Sequence, residues 1–165
     1  MWDRSVPHVE DWLPATLHGH ARTLCLYSWT YRGTREKPGL ILGLEAMKGA
    51  ACVGSLLRVH AANADAALEH FDRRELINGI YQRQLVRVAT DLGEMAAYAY
   101  IARPDHEQYC GALPETEAAQ LIATATGSRG TSLDYLEQCM TALHRQDIRE
   151  PALERLLASA KTLDR

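Results

Sequence analysis

The stretch IYQRQLVRVATDLGEMAAYAYIA, residues 80–102, decides the fold prediction for this chain. Residues 80–90 and 94–102 are two strand-like runs, and Asp91-Leu92-Gly93 between them is a turn sequence. The second run is apolar on both faces, which is typical of a central strand or of a strand inside a closed barrel. We therefore predict an antiparallel hairpin that belongs to a small β-barrel or a strongly curved sheet.

Strand-like runs also precede this hairpin, whereas the rest of the chain is helical in pattern. Residues 15–29, 40–46 and 51–59 are predicted strands, and residues 31–39 form a polar loop rich in turn residues. One helix is predicted over residues 64–76, with Asn63 as its N-cap. Three more helices are predicted after Pro114, over residues 115–126, 132–145 and 150–163. Strands followed by helices indicate an α+β fold with a helical C-terminal part, formed by one domain over residues 1–165.

The composition excludes several classes of protein. Lys and Arg number 18 and Asp and Glu number 21, so the net charge of −3 gives no basic footprint for nucleic acid. The longest apolar runs are shorter than the roughly 20 residues that cross a bilayer, and no signal peptide is evident. We expect no membrane or nucleic-acid partner and a cytoplasmic location.

The cysteines and histidines give no metal motif. Cys25, Cys52, Cys110 and Cys139 are widely spaced without a Cys-x-x-Cys pair, so buried reduced thiols are the expected state. His18 and His20 share one face of a predicted strand, but spacing places no third ligand beside them. Spacing along the sequence therefore predicts no metal site.

Glu75 is the side chain that points most directly to catalysis. It continues the apolar stripe of Leu68 and Phe71 at the C-terminal end of the predicted helix. Burial and the negative end of the helix dipole both favour a protonated carboxyl there, as a general acid or base needs. The alternatives are exposure at a frayed helix end or an ion pair with one of three arginines, namely Arg73, Arg74 and Arg83.

The further candidates for ligand binding are Arg32, Gly33, Tyr109 and Tyr135, each with an ordinary structural alternative. The Arg32-Gly33-Thr34 loop could hold an anion through its amides and guanidinium, although such loops are more often plain turns. Tyr109 and Tyr135 are, by pattern alone, aromatic residues of a core or a surface.

Six short motifs, taken together and in order, resemble the ChaC family of glutathione-specific γ-glutamylcyclotransferases. They cover almost the whole chain, from about residue 13 to 160. They are Leu17-His-Gly-His-Ala-Arg-Thr-Leu-Cys25, Arg32-Gly-Thr-Arg-Glu-Lys-Pro-Gly-Leu40, Cys52-Val-Gly54 with Leu57-Arg-Val59, Arg74-Glu75 with Gly79-Ile-Tyr81, Tyr109-Cys-Gly111, and Gly127-Ser-Arg-Gly130 with Asp134-Tyr-Leu136.

The resemblance implies a γ-glutamylcyclotransferase-like fold, a small β-barrel with flanking helices, and the conversion of glutathione to 5-oxoproline and Cys-Gly. It implies that Glu75 is the general acid/base, that Tyr135 lies in the substrate pocket, and that Arg32, Gly33 and Tyr109 bind substrate. It implies no metal or organic cofactor.

The chain departs from the family pattern at its start. Family members begin with a Gly-Tyr-Gly-Ser-Leu segment whose amides hold the γ-glutamyl group, whereas this chain begins Met1-Trp2-Asp3-Arg4. We expect that segment to be missing from this sequence. Two alternatives stay open: an inactive homologue that binds a γ-glutamyl ligand or a protein, and an enzyme for another γ-glutamyl amine.

Overall fold

The computed structural model describes residues 9–163, and these contain both strands and helices. The start of the chain, Met1 to Arg4, lies outside the described residues. The strands are β1 (Val9–Ser28), β2 (Gly39–Val59), β3 (Tyr81–Thr90), β4 (Gly93–Ala102), β5 (Thr126–Gly127) and β6 (Gly130–Thr131). The helices are α1 (Ala64–Glu75), α2 (Glu115–Thr124), α3 (Ser132–His144) and α4 (Pro151–Leu163), with a 3-10 turn at Ala61–Asn63.

The main sheet is open, which corrects the prediction of a closed barrel. Its four strands lie in the order β2-β1-β3-β4, so that β2 and β4 are its edges in the part of the chain that the structure describes. The α+β class is confirmed, and the β-barrel is not. The two apolar faces of the second hairpin strand predict a central strand or a strand inside a closed barrel. This strand is β4, an edge of the described sheet, and its Tyr98 side chain is exposed.

The predicted hairpin itself is confirmed. β3 and β4 pair antiparallel along their whole length, from Tyr81 opposite Ala102 to Thr90 opposite Gly93. The hydroxyl of Thr90 donates to the Gly93 carbonyl oxygen (2.8 Å) and accepts from the Leu92 amide (3.1 Å), which closes the turn. The positive φ of Gly93, 106°, is a conformation that glycine adopts without steric cost.

The described chain divides into two compact units. The first is Met1–Arg22 with Leu44–Arg103, and the second is Thr23–Gly43 with Pro104–Arg165. Because β1 and β2 are long, each contributes residues to both units. The prediction of one domain over residues 1–165 stays a prediction.

The first unit holds α1 and the β3–β4 hairpin. Ala67 is the buried residue of α1, and Ile80, Val88, Ile101 and Ala102 are buried in and beside the hairpin. Asn63 occupies the N-cap position of α1, but its side chain makes no capping hydrogen bond. The 3-10 turn before it is capped instead by His60, whose Nδ1 accepts from the Ala62 amide (3.2 Å).

The second unit is built around three helices that pack on one another, α2, α3 and α4. All three were predicted, and their buried residues recur every three or four positions, as an amphipathic helix requires. In α3, the Thr131 hydroxyl caps the helix by accepting from the Asp134 amide (2.9 Å). The fully buried large side chains of this unit are Leu26, Leu40, Ile122, Leu136 and Leu143.

Three of the four cysteines are buried, and the fourth is half-buried. Cys25, Cys52 and Cys139 lie in the core, with Cys110 nearer the surface. Among residues 9–163, no helix is both long enough and apolar enough to cross a membrane.

Candidate active site

Glu75 is the last residue of α1 and belongs to the first unit. Its side chain is 18% exposed, and its Oε1 lies 3.1 Å from Nε of Arg74. The ion pair that sequence left open is thus present, with Arg74 as the partner. The Glu75 carboxylate is thus half-buried and paired with the half-exposed guanidinium of the preceding residue.

The other two candidate arginines pair with different acids. Arg73 lies 3.0 Å from Oε1 of Glu69 at the exposed face of α1, an i,i+4 pair. Arg83, from β3, bonds to Oδ2 of Asp72. Glu75 therefore shares its helix end with a second acid, Asp72, that has its own cation.

Asp72 and Tyr100 were not singled out from the sequence. The Tyr100 hydroxyl donates to Oδ1 of Asp72 (2.7 Å), and burial together with this bond to a carboxylate raises the pKa of Tyr100 above its ordinary value. The negative charge of Glu75 raises that pKa further, so the two side chains sense each other electrostatically. The observed pairing of β3 with β4 places Arg83 opposite Tyr100, so the two donors to Asp72 are neighbours across the hairpin.

An open surface groove lies beside the end of α1. Its volume is about 470 Å³, and Glu75 is not among its lining residues, which are Glu69, Asp72, Arg73, Leu76 and Ile77.

Arg32 belongs to the second unit and is held by backbone carbonyls. Its Nη1 donates to the carbonyl oxygens of Arg129 (2.6 Å) and Thr131 (3.4 Å), and its guanidinium lies 5.4 Å from the ring centroid of Tyr135. Its own amide donates to the Ser28 hydroxyl (3.0 Å). These bonds tie the loop that follows β1 to the β5–β6 turn and fix the cation in place.

Gly33 is buried where two backbone segments touch. A Cβ at this position would overlap the backbone of Lys37, Pro38 and Gly39, and one at Gly127 would overlap Tyr31, Arg32 and Gly33. The loop therefore needs glycine at these positions because no room is left for a side chain.

Tyr135 lies on α3 beside the start of β2. Its hydroxyl accepts from the Leu42 amide (3.1 Å), and one turn earlier the Ser132 hydroxyl accepts from the Leu40 amide (3.0 Å). These two side chains therefore supply acceptors to two backbone amides near the start of β2, an edge strand of the described sheet.

Tyr109 lies opposite Leu26 of β1 in an isolated β-bridge, and its ring packs against Gly111. The structure thus brings Arg32, Gly33 and Tyr135 together in one loop-and-helix cluster of the second unit. It places Tyr109 in the same unit and Glu75 in the first unit.

No metal site emerges from residues 9–163, where no group of three or more His, Cys, Asp or Glu side chains is placed to hold an ion. His20 Nδ1 lies 3.2 Å from the carbonyl oxygen of His18.

Comparison with known proteins identifies the family. The model of the ChaC-like protein family matches residues 1–163. A glutathione-specific γ-glutamylcyclotransferase of Escherichia coli K12 is 30% identical over 164 residues, covering 99% of this chain and 70% of that protein. The Schizosaccharomyces pombe protein of the same name is 28% identical over 148 residues, covering 79% and 72%.

A solved structure shares the fold. The crystal structure of a γ-glutamyl cyclotransferase specific to glutathione from yeast superposes with a TM-score of 0.83 at 19% identity, covering 98% of this chain and 92% of that one. With the family model spanning almost its whole length, this chain belongs to the ChaC-like family.

Proposed function

We propose that this protein is a γ-glutamylcyclotransferase that converts glutathione to 5-oxoproline and Cys-Gly. The α-amine of the γ-glutamyl group attacks its own γ-carbonyl carbon, and the amide bond to cysteine breaks as the lactam ring closes. The names of the E. coli and S. pombe relatives support this reaction and this substrate. The inactive-homologue alternative is not favoured on the same ground.

We propose Glu75 as the general acid/base. The attack is intramolecular, so binding the γ-glutamyl group with its amine close to its own γ-carbonyl carbon supplies much of the rate enhancement. The attacking amine must lose a proton and the departing amine must gain one, and one carboxyl group serves both steps. The observation that carries this assignment is the position of Glu75, 18% exposed at the end of α1 with a guanidinium 3.1 Å away. No atom changes its oxidation state, so the reaction as written needs no redox cofactor.

We also propose Arg32, Gly33, Tyr109 and Tyr135 as substrate-binding residues. Glutathione carries two carboxylates, and a guanidinium is the side chain best suited to bind them. The fixed position of Arg32 over the Tyr135 ring supports this, because a cation already ordered loses little entropy on binding.

The test is 5-oxoproline release from glutathione by this chain and by Glu75→Gln. The amide keeps the size of the side chain but cannot accept a proton, so kcat falls by about 10²–10⁴-fold. Glu69→Gln is the matched control, because Glu69 is an exposed glutamate of the same helix with its own arginine. It keeps the wild-type rate.

Two outcomes contradict the proposal. If Glu75→Gln turns over glutathione at the wild-type rate, Glu75 is not the general acid/base. If 5-oxoproline is released from other γ-glutamyl amines but not from glutathione, the reaction class stands and the proposed substrate is wrong.

A further inference from the structure

The last turn of α1 is attached to both strands of the hairpin through one carboxylate. Asp72 accepts from Tyr100 on β4 through Oδ1 and from Arg83 on β3 through Oδ2. Arg83 is itself ordered over the ring of Tyr98, 4.9 Å from the centroid. Each carboxylate oxygen therefore has a donor from a different strand.

This attachment falls where a helix is least constrained. The last four carbonyls of a helix have no intrahelical partner, so its final turn frays readily. Here the Leu76 amide donates to the Asp72 carbonyl oxygen (2.9 Å), which closes the turn that contains Glu75. Residues three apart on a helix are neighbours on its surface. Fixing the side chain of Asp72 therefore fixes the direction in which Glu75 projects.

The charges of Asp72, Arg83 and Tyr100 also favour this arrangement of the three side chains. The Arg83 guanidinium and the Tyr100 hydroxyl each donate to the Asp72 carboxylate, one to each oxygen. Burial, the bond to Asp72 and the charge of Glu75 raise the pKa of Tyr100, so its hydroxyl keeps the proton that it donates.

We propose that Asp72, held by Arg83 and Tyr100, is a positioning residue that orients Glu75 for proton transfer. The inference rests on the proposed function, because it assigns Asp72 a part in the turnover that Glu75 carries out. Asp72 acts through the helix end and does not touch substrate.

The role predicts which kinetic constant changes. A misplacement of about 1 Å in a reacting group can cost about 10²-fold in rate. Asp72→Ala removes both bonds and lowers kcat for glutathione about 30-fold per folded molecule, with KM unchanged. Arg83→Met removes one bond and lowers kcat about 10-fold.

Two comparisons separate positioning from a general loss of structure. Arg83→Lys restores most of the rate that Arg83→Met loses, because an ammonium still pairs with Asp72. Arg87→Met is the matched control: Arg87 lies four residues further along β3 and pairs only loosely, 3.6 Å, with exposed Glu94. It keeps the wild-type kcat.

All rates are measured well below each variant's melting temperature and divided by the folded fraction from circular dichroism. If Asp72→Ala does not fold, Tyr100→Phe, which deletes one hydroxyl, decides the question with an expected loss of about 5-fold in kcat.

The outcomes distinguish the two proposals. Wild-type kcat in folded Asp72→Ala, or a change confined to KM, overturns the positioning role alone, since glutathione turnover by Glu75 would stand. No 5-oxoproline from the wild-type chain overturns the proposed function and this inference with it.

Discussion

Three acidic residues and three arginines lie near the end of α1, and spacing along the chain does not determine which of them form ion pairs. Glu75 and Glu69 find their partners on the same helix, in Arg74 and Arg73. Arg83 comes from β3 and takes Asp72. Periodicity places Glu75 on a half-buried face correctly, but a cation from another element is fixed by tertiary packing, which the sequence pattern does not contain.

Tyr135 and Ser132 make the same kind of bond to β2, and this allows binding to be separated from stability. Ser132 is fully buried, and its hydroxyl both accepts from the Leu40 amide and donates to the Leu40 carbonyl oxygen (3.3 Å). Ser132→Ala leaves that buried amide without its acceptor, so the free energy of unfolding falls by about 1–3 kcal/mol. Tyr135→Phe removes a hydroxyl proposed to serve the substrate site as well, so KM for glutathione rises several-fold.

Urea denaturation and steady-state kinetics of both variants provide the check. Folded Ser132→Ala is expected to keep the wild-type KM. A KM for Tyr135→Phe equal to that of the wild type would limit Tyr135 to the structural bond with Leu42.

At the scale of elements, local signals were sufficient for the hairpin and for the three C-terminal helices, but not for the sheet. The turn at residues 91–93 and the repeating buried positions of α2, α3 and α4 depend on neighbours a few residues away. Strand order depends on distant pairings. The two apolar faces of β4 were therefore misinterpreted, because an edge strand with small residues and exposed Tyr98 has the same pattern as a barrel strand.

Gly49 explains why two predicted strands are one. The strands predicted over residues 40–46 and 51–59 are parts of β2, which runs through Gly49 to Val59 with φ of 83° at that glycine. Gly49→Ala forces a side chain into this left-handed conformation and lowers the free energy of unfolding by about 1–2 kcal/mol. No atom lies within 4 Å of the added Cβ, so the loss is a backbone effect alone.

Gly54→Ala is the control within the same strand. Its added Cβ meets only Nη2 of Arg22, at 3.6 Å, an ordinary contact, and the backbone there needs no positive φ. We expect unchanged stability or a gain below about 1 kcal/mol in chemical denaturation. Equal losses at both positions would argue against backbone strain as the cause.

At the scale of the whole molecule, the order of six short motifs identified the family when no single motif could. Each motif is only a few residues long and could occur by chance. All six would rarely do so in the same order along one chain. The same order says nothing about how Arg32 is held, because its carbonyl partners, Arg129 and Thr131, are almost a hundred residues away.

The stability of the whole chain should depend on alkaline pH through Tyr100. Its pKa is raised in the folded protein by burial and by the bond to Asp72, whereas in the unfolded chain it returns to about 10. Above that pH the unfolded state releases a proton that the folded state keeps bound, so the free energy of unfolding falls as pH rises. The contribution of the raised pKa is complete below pH 10 and is lost progressively above it.

Tyr100→Phe removes this titration but leaves Tyr27, whose pKa burial also raises, in place. Urea denaturation of both proteins at pH 8, 9, 10 and 11 gives the difference in their free energies of unfolding. We expect that difference to be constant to about pH 9 and to shrink from pH 10 upward. Only the wild-type chain has the Tyr100 hydroxyl, which keeps its proton in the folded state and loses it in the unfolded state. A difference that stays constant to pH 11 would show that the hydroxyl of Tyr100 has the same proton affinity in the folded and unfolded chain, and would leave its bond to Asp72 without an electrostatic consequence.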